Sequence, residues 1–167
     1  ITIPYNSTVS GKATSKVSLT GNLDASAAST TAEIVMTSSA LTSSSTAATA
    51  ATTLNSLDSN TTDYVSGDTI LITGTKPDGT SVSATYTYAT GDTVQEVIDA
   101  INTAFSSTDT TNGATASIDS SGKIVITSNT GGNDNLSITL TDGGSNTGKT
   151  TWTNHDFSGA TYTSSVD

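Results

Sequence analysis

Apolar residues in this chain recur at two periods, and each period marks an element. Between Asp68 and Thr75 the order Ile70-Leu71-Ile72 sets two isoleucines on one face and Leu71 on the other, which predicts a strand. Ser81 to Tyr88 alternates strictly, with Val82, Ala84, Tyr86 and Tyr88 on one face. Lys76-Pro77-Asp78-Gly79 between them has Pro second and Gly fourth, as a type I turn prefers, so the two strands form an antiparallel hairpin. The period then changes. Val94, Val97, Ile98, Ile101 and Phe105 fall on one helical stripe. Thr93 with Glu96 three residues later is a capping box at its start, and Asn112-Gly113 is expected to end the helical region. Period two returns at Ala116-Ser117-Ile118 and at Lys123 to Thr127, a second hairpin around Ser120-Ser121-Gly122. Leu136 to Leu140 supplies one more strand.

The flanks are less patterned. A strand at 16–20 followed by a turn at Gly21-Asn22, and another at Ala32–Thr37, are expected. Residues 38–53 are almost wholly Ser, Thr and Ala and read as loop, because their hydroxyls compete for backbone hydrogen bonds. Leu54 to Leu57 is expected to form one helical turn that lids the next unit, and a last strand to begin near Tyr162. The fold class predicted is mainly β: an antiparallel domain carrying an inserted β-β-α-β-β lobe with one amphipathic helix. Residues 1–31 and 149–167 are expected to pair as a base, with 32–148 as the larger outer lobe.

Composition explains the texture of this pattern. Of 167 residues, 37 are Thr and 27 are Ser, and only 32% are hydrophobic. Thr suits a half-exposed strand, but such a chain has little apolar area to bury. Arg is absent and the five lysines, Lys12, Lys16, Lys76, Lys123 and Lys149, are dispersed within a net charge of −10. Without a cationic cluster neither nucleic acid nor an anionic membrane is an expected partner. The thirteen Asp residues stand singly near turns and read as solvated loop ends. With no Cys there is no disulfide frame, thiolate site or thiol nucleophile, and no apolar run reaches the length of a membrane span. The start at Ile1 without a signal peptide and the stop at Asp167 read as an excised piece of a larger chain.

At this point the motifs become familiar in combination. Gly67-Asp68-Thr69-Ile70-Leu71-Ile72-Thr73-Gly74-Thr75, the Pro77-Asp78-Gly79-Thr80 turn, and Asp92-Thr93-Val94 running to Ile101-Asn102 resemble the hook IN element, here about 64–140. That element occurs in bacterial flagellar hook proteins, filament cap proteins and some flagellins. Ser18 to Ala25, with Gly21-Asn22-Leu23-Asp24 at its centre, resembles the stretch where hook proteins pass from an inner to an outer domain. Thr53 to Leu57 leading to Tyr64 resembles the larger, insertion-bearing hook proteins, and Thr163 to Asp167 resembles a strand near the end of that outer region.

The resemblance implies a structural, non-enzymatic outer domain of the flagellar hook, the joint that passes motor torque to the filament. It implies neighbouring copies of the same subunit as partners, and an extracellular location reached without a cleaved signal. The helical ends that drive hook polymerisation are missing here, so the piece alone is expected to be monomeric. A secreted adhesin or carbohydrate-binding module, and a filament cap domain, are the rival readings. An exposed aromatic platform would favour the module, and the Gly-Asn-Leu-Asp flank speaks against the cap.

No catalytic, cofactor or metal residues are expected. His155, the only histidine, has no second His or Cys to join it, and reads as a surface loop beside Asn154 and Asp156. Asp58, Asn60 and Asp63 loosely resemble a calcium loop but lack its Gly and closing Glu. Gly131-Gly132-Asn133-Asp134-Asn135 offers oxygen donors, and turn chemistry accounts for both places. Trp152 and Phe157 read as a small packing cluster rather than a sugar platform. The sequons at Asn6, Asn60 and Asn135 arise by chance in a Thr-rich chain.

Overall fold

The computed structural model describes residues 32–131, 135–143, 152 and 157–164. The expected strand at 16–20, the Gly21-Asn22 turn and His155 lie outside the described residues. Nine strands and one α-helix follow in chain order among them. They are β1 (Ala32–Ala40), β2 (Thr42–Ser43), β3 (Thr46–Ala47), β4 (Thr69–Thr75), β5 (Ser81–Thr87), α1 (Val94–Ala104), β6 (Ala114–Ile118), β7 (Lys123–Ser128), β8 (Ser137–Asp142) and β9 (Ser158–Ser164). A 3-10 turn at Leu54–Ser56 is the expected lid, and Leu54 and Leu57 beside it are buried.

Both hairpins form where the alternation places them, and the fold is mainly β. They do not share a sheet, however. The first joins β8 in a three-stranded sheet ordered β5-β4-β8, while the second joins a four-stranded sheet ordered β6-β7-β1-β9. The physical reason is that β4 and β7 each have a second edge to satisfy: β8 takes one and β1 the other. The helix spans the split, touching β5 on one side and β6 on the other. Its stripe Val94, Val97, Ile98, Ile101 and Phe105 is buried, and joins Ile70, Ile72, Ile124, Ile126, Ile138 and Leu140 in one core.

β9 pairs with β1 from Ala32↔Ser164 to Thr37↔Ser158, so a strand from the expected base lies in the same sheet as the start of the expected outer lobe. Its expected partner, 1–31, lies outside the described residues. The low-complexity stretch is also more ordered in form than a loop. β1 runs on to Ala40, and β2 and β3 make a tight hairpin closed by Ser44-Ser45.

The helix is shorter than its sequence pattern. It ends at Ala104, not near Asn112, because Ser106 takes the left-handed conformation at φ 52° that terminates a helix. Ser106 N donates to Thr103 O and Ser107 N donates to Asn102 O, the two bonds of a Schellman closure. At the other end the capping box forms as its spacing predicts: Thr93 N donates to Glu96 Oε2 at 2.7 Å, and Gln95 N donates to Thr93 Oγ1 at 3.2 Å.

Candidate functional site

Acidic side chains are the most numerous ionisable groups in this chain, so their surroundings decide much. Most are tied to the backbone of a turn. Asp58 accepts from Ser44 N at 2.7 Å and Ser45 N at 2.8 Å. Asp78 accepts from Thr80 N, Asp68 from Val65 N, and Asp92 from Ala89 N, each at 2.8 Å. Asp109 accepts from Thr111 and Asn112 N, and Asp119 from Ser121 and Lys123 N. An ionised carboxylate is stabilised by such donors. The amide of Ser45 holds the Asp58 carboxyl below the usual range, the amide of Thr80 does so for Asp78, and that of Thr111 for Asp109. The Thr93 hydroxyl and amide do the same for Glu96. These acids act as turn clamps.

The clamps engage the calcium-loop pattern at 58–63. Both Asp58 oxygens face the β2–β3 turn, while Asn60 turns its amide toward Asn55 Oδ1 at 3.3 Å. Among the described residues no three His, Asp or Glu side chains gather closely enough to hold a metal ion. Part of the loop 131–135 lies outside the described residues.

Most of the described aromatic side chains are buried. Trp152 is buried at 1% exposure, and Phe157 packs against the same core. Tyr64 and Tyr88 are also buried, with ring centroids 5.5 Å apart. The Tyr64 hydroxyl donates to Asp142 and the Tyr86 hydroxyl to Asp92. Burial, then the Asp92 carboxylate, pushes the Tyr86 phenol above its ordinary range. Among the described side chains Tyr64, Tyr88, Phe105 and Trp152 are buried and Tyr86 and Phe157 are partly buried, an arrangement that does not favour a flat stacking platform.

What the fold does present is a hydroxyl-covered sheet face. With Ile70, Ile72, Val82, Ile138 and Leu140 turned to the core, the alternate residues of the β5-β4-β8 sheet face outward. These are Thr69, Leu71, Thr73 and Thr75 on β4, Ser81, Ser83, Thr85 and Thr87 on β5, and Ser137, Thr139 and Thr141 on β8. Register places them in rows: Thr85, Leu71 and Thr141 lie abreast, as do Ser83, Thr73 and Thr139. The face is uncharged and partly to well exposed, and Leu71 at its centre is 39% exposed. Such a surface offers hydrogen bonds that water can replace one by one.

Beside the helix end lies a shallow open cleft of about 600 Å³, lined by Asp99, Asn102, Thr103, Ser106, Ser107 and Thr108. Lys76 reaches its rim, donating from Nζ to Ser106 Oγ at 2.7 Å. A cation there complements the negative end of the helix dipole. Asp99, the one acid among the described lining residues, accepts from Gln95 Nε2 at 2.8 Å. The cleft therefore offers hydrogen-bonding groups without a paired acid and base.

Sequence reasoning missed two amides. Asn55 holds the lid, donating to Tyr64 O at 3.0 Å and accepting from Tyr64 N at 2.7 Å. Asn102 sits on the polar side of the helix yet bonds both backbone groups of Ala116: its Nδ2 donates to O at 3.2 Å, and Ala116 N donates to Oδ1 at 2.7 Å. No local pattern announces either, because the partner lies nine or more residues away. No family model matches the chain, and no curated protein or solved structure is similar to it.

Proposed function

We propose that this chain is a structural, non-enzymatic outer domain of a bacterial flagellar hook subunit, working outside the cell through contacts with copies of itself. The observation that carries the reading is the cross-strand pairing of Ala32 with Ser164. The chain enters and leaves the lobe side by side, the geometry suited to a lobe inserted into a longer subunit. Residues 64–140 add the strand, turn and helix order of the hook IN element, with its Pro-Asp-Gly turn and capping box. The hydroxyl face supports the same reading, since a joint that bends as it rotates needs contacts that slide. Wet, weakly apolar surfaces exchange partners at little cost.

The rival carbohydrate-binding reading predicts an exposed aromatic platform, and the buried aromatics weigh against it. Electron cryo-microscopy of native hooks from the source organism tests the proposal. The expected result is density at the outer radius that accepts the lobe with Ala32 and Ser164 facing the tube. Hooks whose outer density rejects this fold, or accepts it only with those residues outward, would remove the reading and turn attention to glycan screening.

A further inference from the structure

The three-stranded sheet stops at β5, and nothing among the described residues covers that edge. Tyr88 N donates to Asp68 O and Lys76 N donates to Thr80 O, both at 2.8 Å, which sets the phase of the ladder. Val82, Ala84 and Tyr86 therefore turn their N–H and C=O groups to β4, while Ser81, Ser83, Thr85 and Thr87 turn theirs outward. Among the described residues, no backbone group of residues 81–87 bonds outside the β4 ladder.

Proteins usually block such edges with Lys, Pro, a bulge or a covering side chain. The β6 edge is blocked in that way by the Asn102 amide. β5 has none of these devices: it carries no charge and no Pro, and its register with β4 is continuous from Ser81 to Thr87.

We propose that β5 is a self-pairing edge: it joins β5 of a second copy, antiparallel, about a twofold axis at Ala84. Only outward-facing residues can exchange ladder bonds, which requires odd-numbered residues opposite odd-numbered ones. Centring on Ala84 meets this, setting Ser83 opposite the partner's Thr85 and Ser81 opposite the partner's Thr87, for about eight new bonds. On the core side Val82 then meets the partner's Tyr86, a branched-aromatic pairing that stabilises sheets, and the smallest side chain sits on the axis.

The two sheets become one of six strands. Each chain carries a charge of −10, but none of it lies on β5, so repulsion between copies is long-range and screened by salt. Seven residues a side is well below the roughly 20–30 of a stable interface, so the dimer is weak and reversible. This holds whether or not the chain comes from a hook, although the sequence alone led to the expectation of a monomer.

Ala84→Cys tests the geometry, because the native chain has no cysteine. In the proposed register the two Cα atoms lie about 4.5 Å apart, within disulfide range. Val82→Cys is the control, its two copies being about 13 Å apart. The expected result is a disulfide dimer from Ala84→Cys and at least tenfold less from Val82→Cys. Sedimentation of the unmodified chain should show a dimer that grows with concentration and with salt, and Thr85→Pro should abolish it. Proline there removes an outward N–H and leaves the β4 ladder whole. A chain monomeric at about 1 mM with no Ala84→Cys crosslink, equal crosslinking by Val82→Cys, or a dimer unchanged by Thr85→Pro would each overturn the proposal. So would a foreign extended peptide that occupies β5 while the chain itself does not associate.

Discussion

Ser44 and Ser45 both lie at positive φ, 51° and 61°, in the two-residue turn between β2 and β3. Such a turn favours Asn-Gly, since a Cβ at positive φ is crowded. Two serines hold the shape because one carboxylate, Asp58, grips both of their amides. The strain and the clamp should thus separate by mutation. The double change Ser44→Asn, Ser45→Gly is expected to stabilise the chain by about 1 kcal/mol in urea unfolding. Asp58→Ala should lower the melting temperature in the serine background and much less in the Asn-Gly one. Equal loss in both backgrounds would contradict the clamp. Gly122 is a second backbone position with no freedom: it lies at φ 77°, and a Cβ would meet Leu41 O at 2.3 Å. The Gly in Ser120-Ser121-Gly122 was legible as a turn residue, whereas the Ser44-Ser45 turn was not. Its compensating acid stands thirteen residues beyond Ser45, out of reach of any local pattern.

Between elements, the decisive contact is a helix side chain acting as a strand. Asn102 gives Ala116 both of the backbone bonds that a further strand would give, closing the four-stranded sheet at β6. Asn102→Ala leaves a buried donor and acceptor unmatched and is expected to cost about 2 kcal/mol. Asn102→Leu should be no better, since the loss is of hydrogen bonds and not of volume. Native-state hydrogen exchange at Ala116 would show it: faster exchange in both variants is expected, and unchanged protection would refute the role. At this scale the sequence was informative about each element taken singly. Period two gave both hairpins, the 3.6 stripe gave the helix face, and Thr93 with Glu96 gave its start. What alternation cannot say is which sheet a strand joins. β7 looks the same whether its free edge meets β4 or β1, and only long-range competition for edges decides. The helix end was misread for a related reason: Ser106 adopts the left-handed cap where a Gly would have marked it.

At the scale of the whole molecule, several exposed carboxylates are held ionised by the turns they clamp. Asp58, Asp78, Glu96 and Asp109 all have their pKa lowered in the fold. A lowered pKa stabilises the folded state above the unfolded value, near pH 4, and that stability is lost as pH falls through the folded value. Relief of the −10 charge acts oppositely on the way down and solvent screens these exposed groups, so stability is expected to be greatest near pH 5 and to fall modestly below about pH 4. Thermal melts from pH 7 to pH 2.5 would check this, and Asp58→Asn should flatten the acid limb. A melting temperature that climbs steadily to pH 2.5 would show charge relief outweighing the clamps. The same acids explain why the candidate surface was only half legible. Their single spacing near turns gave the bland reading, while the hydroxyl face needed the register of three strands before its rows could be seen.

The pairing of Ala32 with Ser164 also has a mechanical meaning. A pull applied through the two flanks loads the first rung of the β1–β9 ladder and then the next, so the strands peel like a zip fastener instead of sharing the strain. Resistance to stretching is therefore low at this entrance, however well the interior is packed. A machine that tugs on one flank would find the lobe simple to unravel. A load pressed sideways onto its surface would instead meet both sheets and the helix braced together.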